Sequence, residues 1–333
     1  MSVTLSRTLL PAVPAEVAPL DGCPGEWLVL TGGQLLRWHS GTSEVVARWQ
    51  VRLPDSGPER EGGRPARYRL LASPGGEFVV IAADYRSRGV VIDLATGRVS
   101  MDLDRGGYHV EQTPFPAAFL HVDGQLLLVH ATAWNRVDLS DPATGITITP
   151  RRFEAASGQR PAHYLDYFYG ALYPSPDGRL IASDGWVWSP VGMPRVWDAR
   201  RWRHDDMYEP EDGRSARRLR QVGYYWDKPV CWLDNTTLAV SGIGADDEAM
   251  IPGVEIYDAT SGAVTGGFAG PQGRLYCDAG RLYSASLGGM QIWDISTGDN
   301  TGSVPGFMPS HYHPASHELA AVDGSILTTW QAG

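Results

Sequence analysis

The chain has the sequence Ser-Pro-Asp-Gly-Arg-Leu-Ile-Ala-Ser at residues 175–183 and Arg-Val-Trp-Asp at residues 195–198. Ser-Pro-Asp-Gly is a tight-turn sequence, because proline presets its own φ and glycine accepts a positive φ. The apolar residues that follow the turn are typical of a buried strand. Together the two stretches predict a turn, a strand, a hairpin and a second strand that ends at the Trp-Asp pair.

The same order of residues recurs along the whole chain in seven copies. In each copy a turn and a polar residue precede an apolar residue, the first anchor: Trp27, Phe78, Leu126, Leu180, Leu238, Leu282 and Leu319. A second apolar residue, usually followed by Asp, comes after each of them and is the second anchor: Trp38, Ile92, Val137, Trp197, Tyr257, Trp293 and Trp330. With an inner and an outer strand added, each copy predicts a four-stranded antiparallel unit, repeated about every 40–50 residues.

These copies resemble the WD40 repeat. The resemblance rests on the turn at residues 175–178 followed by Trp197-Asp198, and on Trp293-Asp294 followed by Thr297-Gly298. It spans nearly the whole chain, but only these two copies have a literal Trp-Asp pair, and no Gly-His dipeptide precedes any unit. The chain is therefore similar to a divergent WD40-like repeat protein, which implies a β-propeller with one blade for each repeat.

The predicted fold is an all-β, seven-bladed propeller that forms a single domain over residues 1–333. The alternative is a pair of β-sandwiches with coincidental repeats. The last copy ends soon after Trp330, and residues 3–10 alternate in part like a strand. We therefore expect residues 2–10 to pair with the last blade and to cover its edge. The approximate blade limits are 16–52, 67–104, 115–153, 168–221, 229–269, 273–304, and 306–331 together with 2–10.

Composition limits the class of protein. The chain of 333 residues has a formal net charge of −10, which argues against nucleic acid or an anionic membrane as the main partner. Its apolar stretches are shorter than a membrane-spanning helix needs. Cys23, Cys231 and Cys277 are odd in number and widely spaced, which favours buried free thiols in a reducing compartment. Because the N-terminus also lacks the apolar run of a signal peptide, we expect a soluble, cytoplasmic protein.

The extra sequence between anchors collects on one predicted face. The hairpins between the middle strands are longer in the second, fourth and fifth copies, and the first four connections between copies are longer than the last two. In a propeller both kinds of loop emerge on the same face, around the mouth of the central channel. Insertions on one face often mark the binding face of a repeat protein. Neutral drift in loop length is the alternative.

Aromatic residues are concentrated in these longer loops. Tyr and Trp contribute strongly to protein interfaces, because they bury a large area with few rotatable bonds and offer a polar tip. The alternative is that the rings only pack the loops onto the blades. The predicted partner- or ligand-binding residues are Tyr164, Tyr167, Tyr169, Trp186, Trp188, Tyr224, Tyr225 and Trp226.

His311 and His313 are the sharpest candidates for metal ligands, since alternate residues of a strand share a face. No third ligand accompanies them at a fixed spacing, which favours hydrogen-bonded structural histidines between two blades. Asp246, Asp247 and Glu248 lack the spacing of a calcium loop, so we expect a solvated acidic loop there. The sequence therefore predicts no metal and no cofactor.

The sequence contains no recognisable catalytic motif: no GxSxG, no HExxH, no phosphate-binding glycine loop and no dinucleotide fingerprint. We therefore predict a protein-interaction or scaffolding module that binds another protein on the face with the long loops. The alternatives are a metal-dependent hydrolase or lyase at the channel mouth, and a binder of small ligands or carbohydrates. The enzyme would use residues expected near that mouth: His163, Asp166, Tyr167, His311 or His313.

Overall fold

The computed structural model describes residues 4–55, 64–65, 67–151 and 160–332. Nearly all regular structure in these ranges is antiparallel β-sheet, which confirms the predicted fold class. The predicted blade limits include residues 2, 3, 152 and 153, which lie outside the described residues. The limits themselves stay predictions.

The strands form seven sheets that follow one another along the described chain, and one small additional sheet. Strand β1 (Ser6–Leu9) comes first. The first two sheets contain β2 (Glu16–Pro19), β3 (Glu26–Leu30), β4 (Gln34–His39), β5 (Glu44–Gln50), and then β6 (Arg67–Ala72), β7 (Phe78–Asp84), β8 (Arg88–Asp93) and β9 (Arg98–Asp104). The third sheet contains β10 (Ala117–Val122), β11 (Gln125–Ala133) and β12 (Arg136–Ser140).

The region of the fourth sheet also holds the small sheet and two short helices. Its strands are β13 (Leu172–Pro174), β14 (Leu180–Ser183), β15 (Trp186–Val187), β16 (Val191–Gly192), β17 (Arg195–Asp198), β18 (Arg217–Arg218) and β19 (Val222–Gly223). Strands β13, β14, β17 and β18 make the fourth sheet, and β15, β16 and β19 make the small one. The helices α1 (Ala199–His204) and α2 (Glu209–Asp212) lie between β17 and β18.

The last three sheets return to the simple pattern. The fifth contains β20 (Val230–Trp232), β21 (Thr237–Ile243), β22 (Ile251–Asp258) and β23 (Ala263–Ala269), and the sixth contains β24 (Arg274–Asp278), β25 (Arg281–Ser286), β26 (Gly289–Asp294) and β27 (Asn300–Pro305). The seventh contains β28 (His311–His313), β29 (Glu318–Asp323) and β30 (Ile326–Gln331), with β1 as its outer strand.

The anchor residues explain the register of the middle strands. Every first anchor lies in the second strand of its sheet, and every second anchor lies in the third strand. In four sheets the two anchors are direct cross-strand partners: Trp27 and Trp38, Leu238 and Tyr257, Leu282 and Trp293, Leu319 and Trp330. Large apolar side chains that face each other across a pair of strands stabilise that register.

The Asp after the second anchor has a local role in the next turn. The Asp294 carboxylate accepts hydrogen bonds from the backbone N–H of Ser296 at 2.8 Å and of Thr297 at 3.2 Å, and Asp258 accepts equivalent bonds from its own turn. The hydroxyls of Thr260 and Ser296 donate to the same carboxylates at 2.6 Å, and these bonds, together with the backbone bonds, hold the pKa of both carboxyl groups below their usual value. Gly298 then adopts φ +75°, which glycine accepts without strain. The Asp-x-x-Thr/Ser-Gly pattern is thus a hairpin turn between the third and outer strands.

Apolar clusters fill the space between successive sheets. The first and second sheets share one cluster, and the same holds for each following pair. A further cluster joins the seventh sheet to the first, with Trp27, Ala320 and Leu327 fully or almost fully buried. Each sheet therefore buries both of its faces against neighbours.

The N-terminal strand completes the last sheet, as the sequence predicts. Residues Ser6 to Leu9 of β1 pair antiparallel with Thr329 to Ile326 of β30, and the Leu10 N–H donates to the Ser325 carbonyl at 2.8 Å. Residues from opposite ends of the sequence thus form one sheet, and the outer edge of β30 is paired.

The third sheet departs from the four-stranded pattern. Among the described residues it has three strands, and where an outer strand is expected Thr147 forms an isolated bridge with Ser140. The side chain of Thr149 instead turns inward, where its hydroxyl accepts a hydrogen bond from the Leu139 N–H at 3.0 Å. The Thr149 hydroxyl thereby takes the Leu139 N–H, a backbone donor that a fourth strand would otherwise have paired.

Candidate interaction surface

Two opposite ends of the sheets can be distinguished from the strand order. Each inner strand begins at the end where the second and third strands are joined by their hairpin, because neighbouring strands run antiparallel. We call this end the connection face, and the opposite end the turn face. Among the described residues, the connections that lead into the third, fourth and fifth sheets, residues 105–116, 160–171 and 219–229, lie at the connection face.

Aromatic side chains from these connections and from two hairpins meet on the connection face. Phe168 and Trp186 stack with ring centroids 4.2 Å apart, and Trp226 stacks on the other side of Trp186 at 5.1 Å. Trp134 lies 4.5 Å from Phe168, and Trp188 lies 5.1 Å from Trp186. The whole group, which we call the aromatic cluster, consists of Tyr108, His109, Trp134, Phe168, Trp186, Trp188 and Trp226.

The cluster has a buried base and an exposed top. Phe168 and Trp186 are buried, whereas Tyr108 and Trp188 expose 47% and 46% of their surface. The ring of Tyr108 lies 5.7 Å from Phe168, and that of Trp188 lies 5.7 Å from the same ring on a perpendicular plane. The exposed rings are therefore held in place by contacts with the buried rings.

Backbone pairing sets the position of the two buried rings. The N–H of Phe168 donates to the Trp186 carbonyl at 2.8 Å, and the N–H of Trp186 donates back at 3.1 Å. This close pairing needs glycine at position 185, because a Cβ there would come within 2.3 Å of the Phe168 carbonyl oxygen. Gly170 has the same role opposite Asp184, whose carbonyl oxygen would lie 1.8 Å from a Cβ.

Arg105 organises the connection that carries Tyr108 and His109. Its buried guanidinium donates to the carbonyls of Arg86, Val110, Thr113 and Pro114 at 2.8–2.9 Å, and to the Thr113 hydroxyl at 3.1 Å. Burial lowers the pKa of Arg105 to about 9. The Thr113 hydroxyl donates in turn to the Tyr169 carbonyl at 3.1 Å. These bonds tie the connection after the second sheet to the one after the third.

Tyr225 supports the segment that carries Trp226. The Nζ of Lys228 lies 4.4 Å from the centroid of the Tyr225 ring, and the Arg220 guanidinium lies 5.4 Å from it. The Tyr225 carbonyl oxygen approaches Gly192 so closely that a Cβ there would lie 1.7 Å away. This contact places Trp226 directly against the small sheet that carries Trp186.

Comparison with protein-family models and with curated proteins finds no match. Solved structures do match. The β-propeller domain of Cps50 (Swd1) from Myceliophteria thermophila has a TM-score of 0.59 to this chain at 13% sequence identity, with 100% of both chains covered. A chain of the Mitotic Checkpoint Complex has a TM-score of 0.58 at 14% identity, over 97% of this chain and 93% of that chain. The fold is a WD40-like β-propeller.

The propeller places the sequence-predicted aromatic residues in three different environments. Trp186, Trp188 and Trp226 belong to the aromatic cluster, but Trp186 lies in its buried base and exposes only 2% of its surface, which differs from the prediction of a contact residue. Tyr167 and Tyr169 are buried, and the Tyr167 hydroxyl donates to the Met193 carbonyl at 3.0 Å. These two rings support the loops from below and expose no contact surface, which differs from the prediction for them.

The remaining three predicted residues lie nearer the solvent. Tyr164 is half-buried beside Arg160, whose guanidinium lies 5.2 Å from its ring. Tyr224 is 68% exposed, with φ +55° and its N–H donating to the Pro190 carbonyl at 3.0 Å. Tyr225 is half-buried in the supporting position described above.

Four members of the cluster were missed by the sequence interpretation: Tyr108, His109, Trp134 and Phe168. Trp134 is at the tip of a hairpin of ordinary length, and Tyr108 and His109 lie in a connection chosen for its length but not for its rings. The prediction took only Tyr and Trp from some of the lengthened loops, whereas a selection of every ring in the hairpins and connections of that face would have included all four.

His311 and His313 have structural partners between the seventh and first blades. The Nε2 of His313 hydrogen-bonds the Glu26 carbonyl at 3.0 Å, and its ring meets Trp27 edge-on at 5.1 Å. The Nε2 of His311 hydrogen-bonds Glu16 at 3.2 Å. No group of three or more His, Cys, Asp or Glu side chains within the described ranges is placed to hold a metal ion.

The histidines of the enzyme alternative have separate partners. His163 stacks on Tyr208 at 4.0 Å and hydrogen-bonds Asp212 at 2.8 Å. Within the described part of the chain, no hydrogen bond or ring contact joins it to His311 or His313. The propeller therefore gives these groups separate structural roles.

The acidic loop of the fifth blade and the three cysteines have simple environments. Asp246, Asp247 and Glu248 are exposed, and Asp246 accepts a hydrogen bond from the Ala249 N–H at 2.8 Å. All three cysteines are free thiols, as the sequence predicts, and they are half-buried where burial was expected. Burial raises the pKa of Cys277 to about 11, which keeps this thiol protonated and unreactive at neutral pH.

A second feature lies at the turn face, where the inner strands end. A recess of about 630 Å³ is lined there by residues of inner strands and adjoining turns from all seven sheets. Its acidic groups are Asp21 and Asp177, and the residues lining it include neither lysine nor arginine. Burial raises the pKa of Asp21 to about 6. We call it the turn-face recess.

No helix within the described residues has the length and apolar character needed to cross a membrane.

Proposed function

We propose that this propeller is a protein-interaction module that binds a partner protein on its connection face, with the aromatic cluster at the centre of the contact. The observation that carries the proposal is the cluster itself. Tyr108 and Trp188 are each about half exposed on top of a stacked pair of buried rings. Rings held in one orientation lose little conformational entropy on binding, so they are effective anchors.

The propeller neighbours support the same class of function. One is the Swd1 propeller domain and the other is a chain of an assembly named the Mitotic Checkpoint Complex. Propellers also occur as enzymes and ligand binders, so the fold alone does not decide the function. The aromatic cluster, together with the separate structural roles of His163 and His311, favours binding over catalysis.

The test uses a photo-crosslinking amino acid at position 188 to capture the partner in cells. A matched probe at position 287 is the control, since Leu287 is 95% exposed in a hairpin of the sixth blade on the same face. A partner that crosslinks from 188 is purified, and its Kd is measured for the parent chain, for Tyr108→Ala/Trp188→Ala and for Leu287→Ala.

We expect the double variant to weaken binding about tenfold or more, as truncating central aromatic anchors does, and Leu287→Ala to leave the Kd unchanged. Thermal melts establish that all variants fold. An unchanged Kd in the double variant would refute this choice of surface. If a glycan or small molecule binds instead and binding is lost in the double variant, the cluster is a ligand site and the protein-partner proposal fails.

A further inference from the structure

A recess on the connection face lies between four inner strands. It has a volume of about 440 Å³ and is bounded by β2, β6, β24 and β28. We call it the arginine recess, because its charged and polar lining is Glu16, Arg67, Arg69, Arg274, Ser310 and His311. Four of these residues lie at the connection-face end of the recess, because each is the first residue of an inner strand: Glu16, Arg67, Arg274 and His311.

Positive charge is in excess in this recess. Three guanidinium groups line it, but Glu16 is the only lining carboxylate, and it hydrogen-bonds His311. The buried Asp84, which does not line the recess, forms ion pairs with two of its arginines. The Nε–Oδ distances are 3.5 Å to Arg67 and 3.2 Å to Arg69. A single carboxylate can neutralise only one of the two.

The guanidinium groups remain available to a ligand. The Arg67 side chain is 54% exposed in spite of its contact with Asp84, and Arg274 is exposed. Within the described residues Arg274 has no ion-pair partner and its side chain hydrogen-bonds only that of the neighbouring Tyr276, while the Arg67 guanidinium lies 5.8 Å from the centroid of the Tyr85 ring. Arg69 is more firmly held, because it also donates to the Phe115 carbonyl. Arg67 and Arg274 can therefore turn toward an incoming group while Arg69 stays fixed.

The position of the recess is unusual for this chain. The protein as a whole has a formal net charge of −10, so the excess of positive charge in this recess is opposite in sign to the net charge of the chain. Low-dielectric walls concentrate such a field within a concave site. Guanidinium forms paired hydrogen bonds with the oxygens of carboxylate and phosphate groups, which gives both strength and direction.

We propose that the arginine recess binds an oxyanion group, a carboxylate or a phosphate carried by the partner of the connection face. Arg67 and Arg274 contact the oxyanion, Arg69 supports Arg67 through Asp84, and Glu16 limits the affinity by like-charge repulsion. This inference rests on the proposed function for the source of the group, but the binding of the oxyanion is measured without any partner.

The experiment measures binding of inorganic phosphate and of a hexaglutamate peptide by isothermal titration calorimetry at low and at physiological salt. The variants are Arg67→Gln/Arg274→Gln and Glu16→Gln. The matched control is Arg48→Gln, in the outer strand β5, where Arg48 is exposed and far in sequence from the recess residues.

We expect the parent chain to bind phosphate or hexaglutamate, more weakly at higher salt. The double variant should lose about tenfold or more in affinity, Glu16→Gln should bind a few-fold more tightly, and Arg48→Gln should match the parent chain. Binding of phosphate alone identifies a phosphorylated group, and binding of hexaglutamate alone identifies a carboxylate; both outcomes support the proposal.

The proposal is overturned if neither probe binds, if the double variant binds both probes as tightly as the parent chain, or if Arg48→Gln loses as much affinity as the double variant. It is also overturned if Glu16→Gln weakens binding, because removal of a repulsive charge has the opposite sign. Failure here is separable from failure of the proposed function, since Tyr108→Ala/Trp188→Ala should bind phosphate and hexaglutamate normally while losing the partner.

Discussion

Arg105 connects the second blade to the loop that presents Tyr108 and His109. Its five hydrogen bonds satisfy the carbonyls of Arg86, Val110, Thr113 and Pro114 in a buried position. Removing the guanidinium leaves these acceptors without partners and without water, which is more costly than the net loss of an ordinary hydrogen bond. The position of the exposed top of the aromatic cluster thus depends on one buried side chain.

We expect Arg105→Met to lower the free energy of unfolding by about 2–4 kcal/mol. Urea denaturation is the measurement, with Arg48→Met, an exposed arginine in β5, as the control. Partner binding through Tyr108 should weaken as well, since its loop loses its support. A free energy of unfolding equal to that of the control would show that Arg105 does not hold the loop.

Asp184 gives the stability of the propeller a predictable pH dependence. The Oδ2 accepts a hydrogen bond from the Lys228 N–H at 2.5 Å, but burial dominates and raises the pKa of Asp184 from 3.8 to about 7. The folded chain therefore binds this proton more tightly than the unfolded chain. Its stabilising contribution is complete below about pH 4 and is lost as the pH rises toward 7.

Asp184→Asn should remove this part of the pH dependence, because the amide oxygen can still accept the Lys228 N–H and carries no proton to lose. Between pH 5 and 7 the parent chain should lose up to about 1 kcal/mol per pH unit relative to the variant. Urea unfolding at pH 5, 6 and 7 measures both chains. Parallel curves for the two chains would contradict the assignment.

At the scale of single residues, the sequence predicted some of the candidate surface. Trp186, Trp188 and Trp226 were identified because they lie in lengthened loops. Tyr167 and Tyr169 lie in the same kind of loop, and they are nevertheless buried, as is Trp186 itself. Which rings point outward depends on contacts between loops, such as the pairing of Phe168 with Trp186. Such contacts between distant segments cannot be predicted from the local sequence.

At the scale of elements, the role of β1 as the outer strand of the last sheet can be tested directly. Its residues Ser6–Leu9 cover the outer edge of β30. Without it, β30 would present an open row of backbone groups, and Leu10 would leave the cluster between the seventh and first sheets. We propose that β1 closes the ring of blades.

Deletion of residues 2–10 should lower the melting temperature by about 5 °C or more and promote aggregation through the open edge. A synthetic peptide of the deleted sequence, added in trans, should restore part of the loss by refilling the edge. A scrambled peptide is the control. A truncated chain that melts like the parent, with no response to the peptide, would refute the role given to β1.

The strands could be predicted from the sequence wherever a repeated side-chain pattern determines their position and register. The facing pairs of anchors, such as Leu282 with Trp293, set the register of the middle strands and were visible as a repeat. The third sheet departs from the pattern because Thr149 places its side chain where a fourth strand was expected to pair. The short strands β15, β16 and β19 pair with one another across a long insertion, and the alternation of apolar and polar residues in the local sequence does not predict that pairing.

At the scale of the whole molecule, the long connections are distributed unevenly. The aromatic cluster is built from loops between the second and fifth blades, whereas the arginine recess lies between the first, second, sixth and seventh. One face thus carries an apolar half and a cationic centre. A partner that uses both would need an acidic or phosphorylated group next to an apolar segment.

The turn-face recess has a consequence when it is considered together with the arginine recess. Asp21 and Asp177 lie at one end of the inner strands, and Arg67 and Arg274 lie at the other end. The two recesses therefore carry opposite charge at opposite ends of the inner strands. An acidic group of a partner is attracted to the arginine recess and repelled from the turn-face recess, so the local field distinguishes the two ends for such a group.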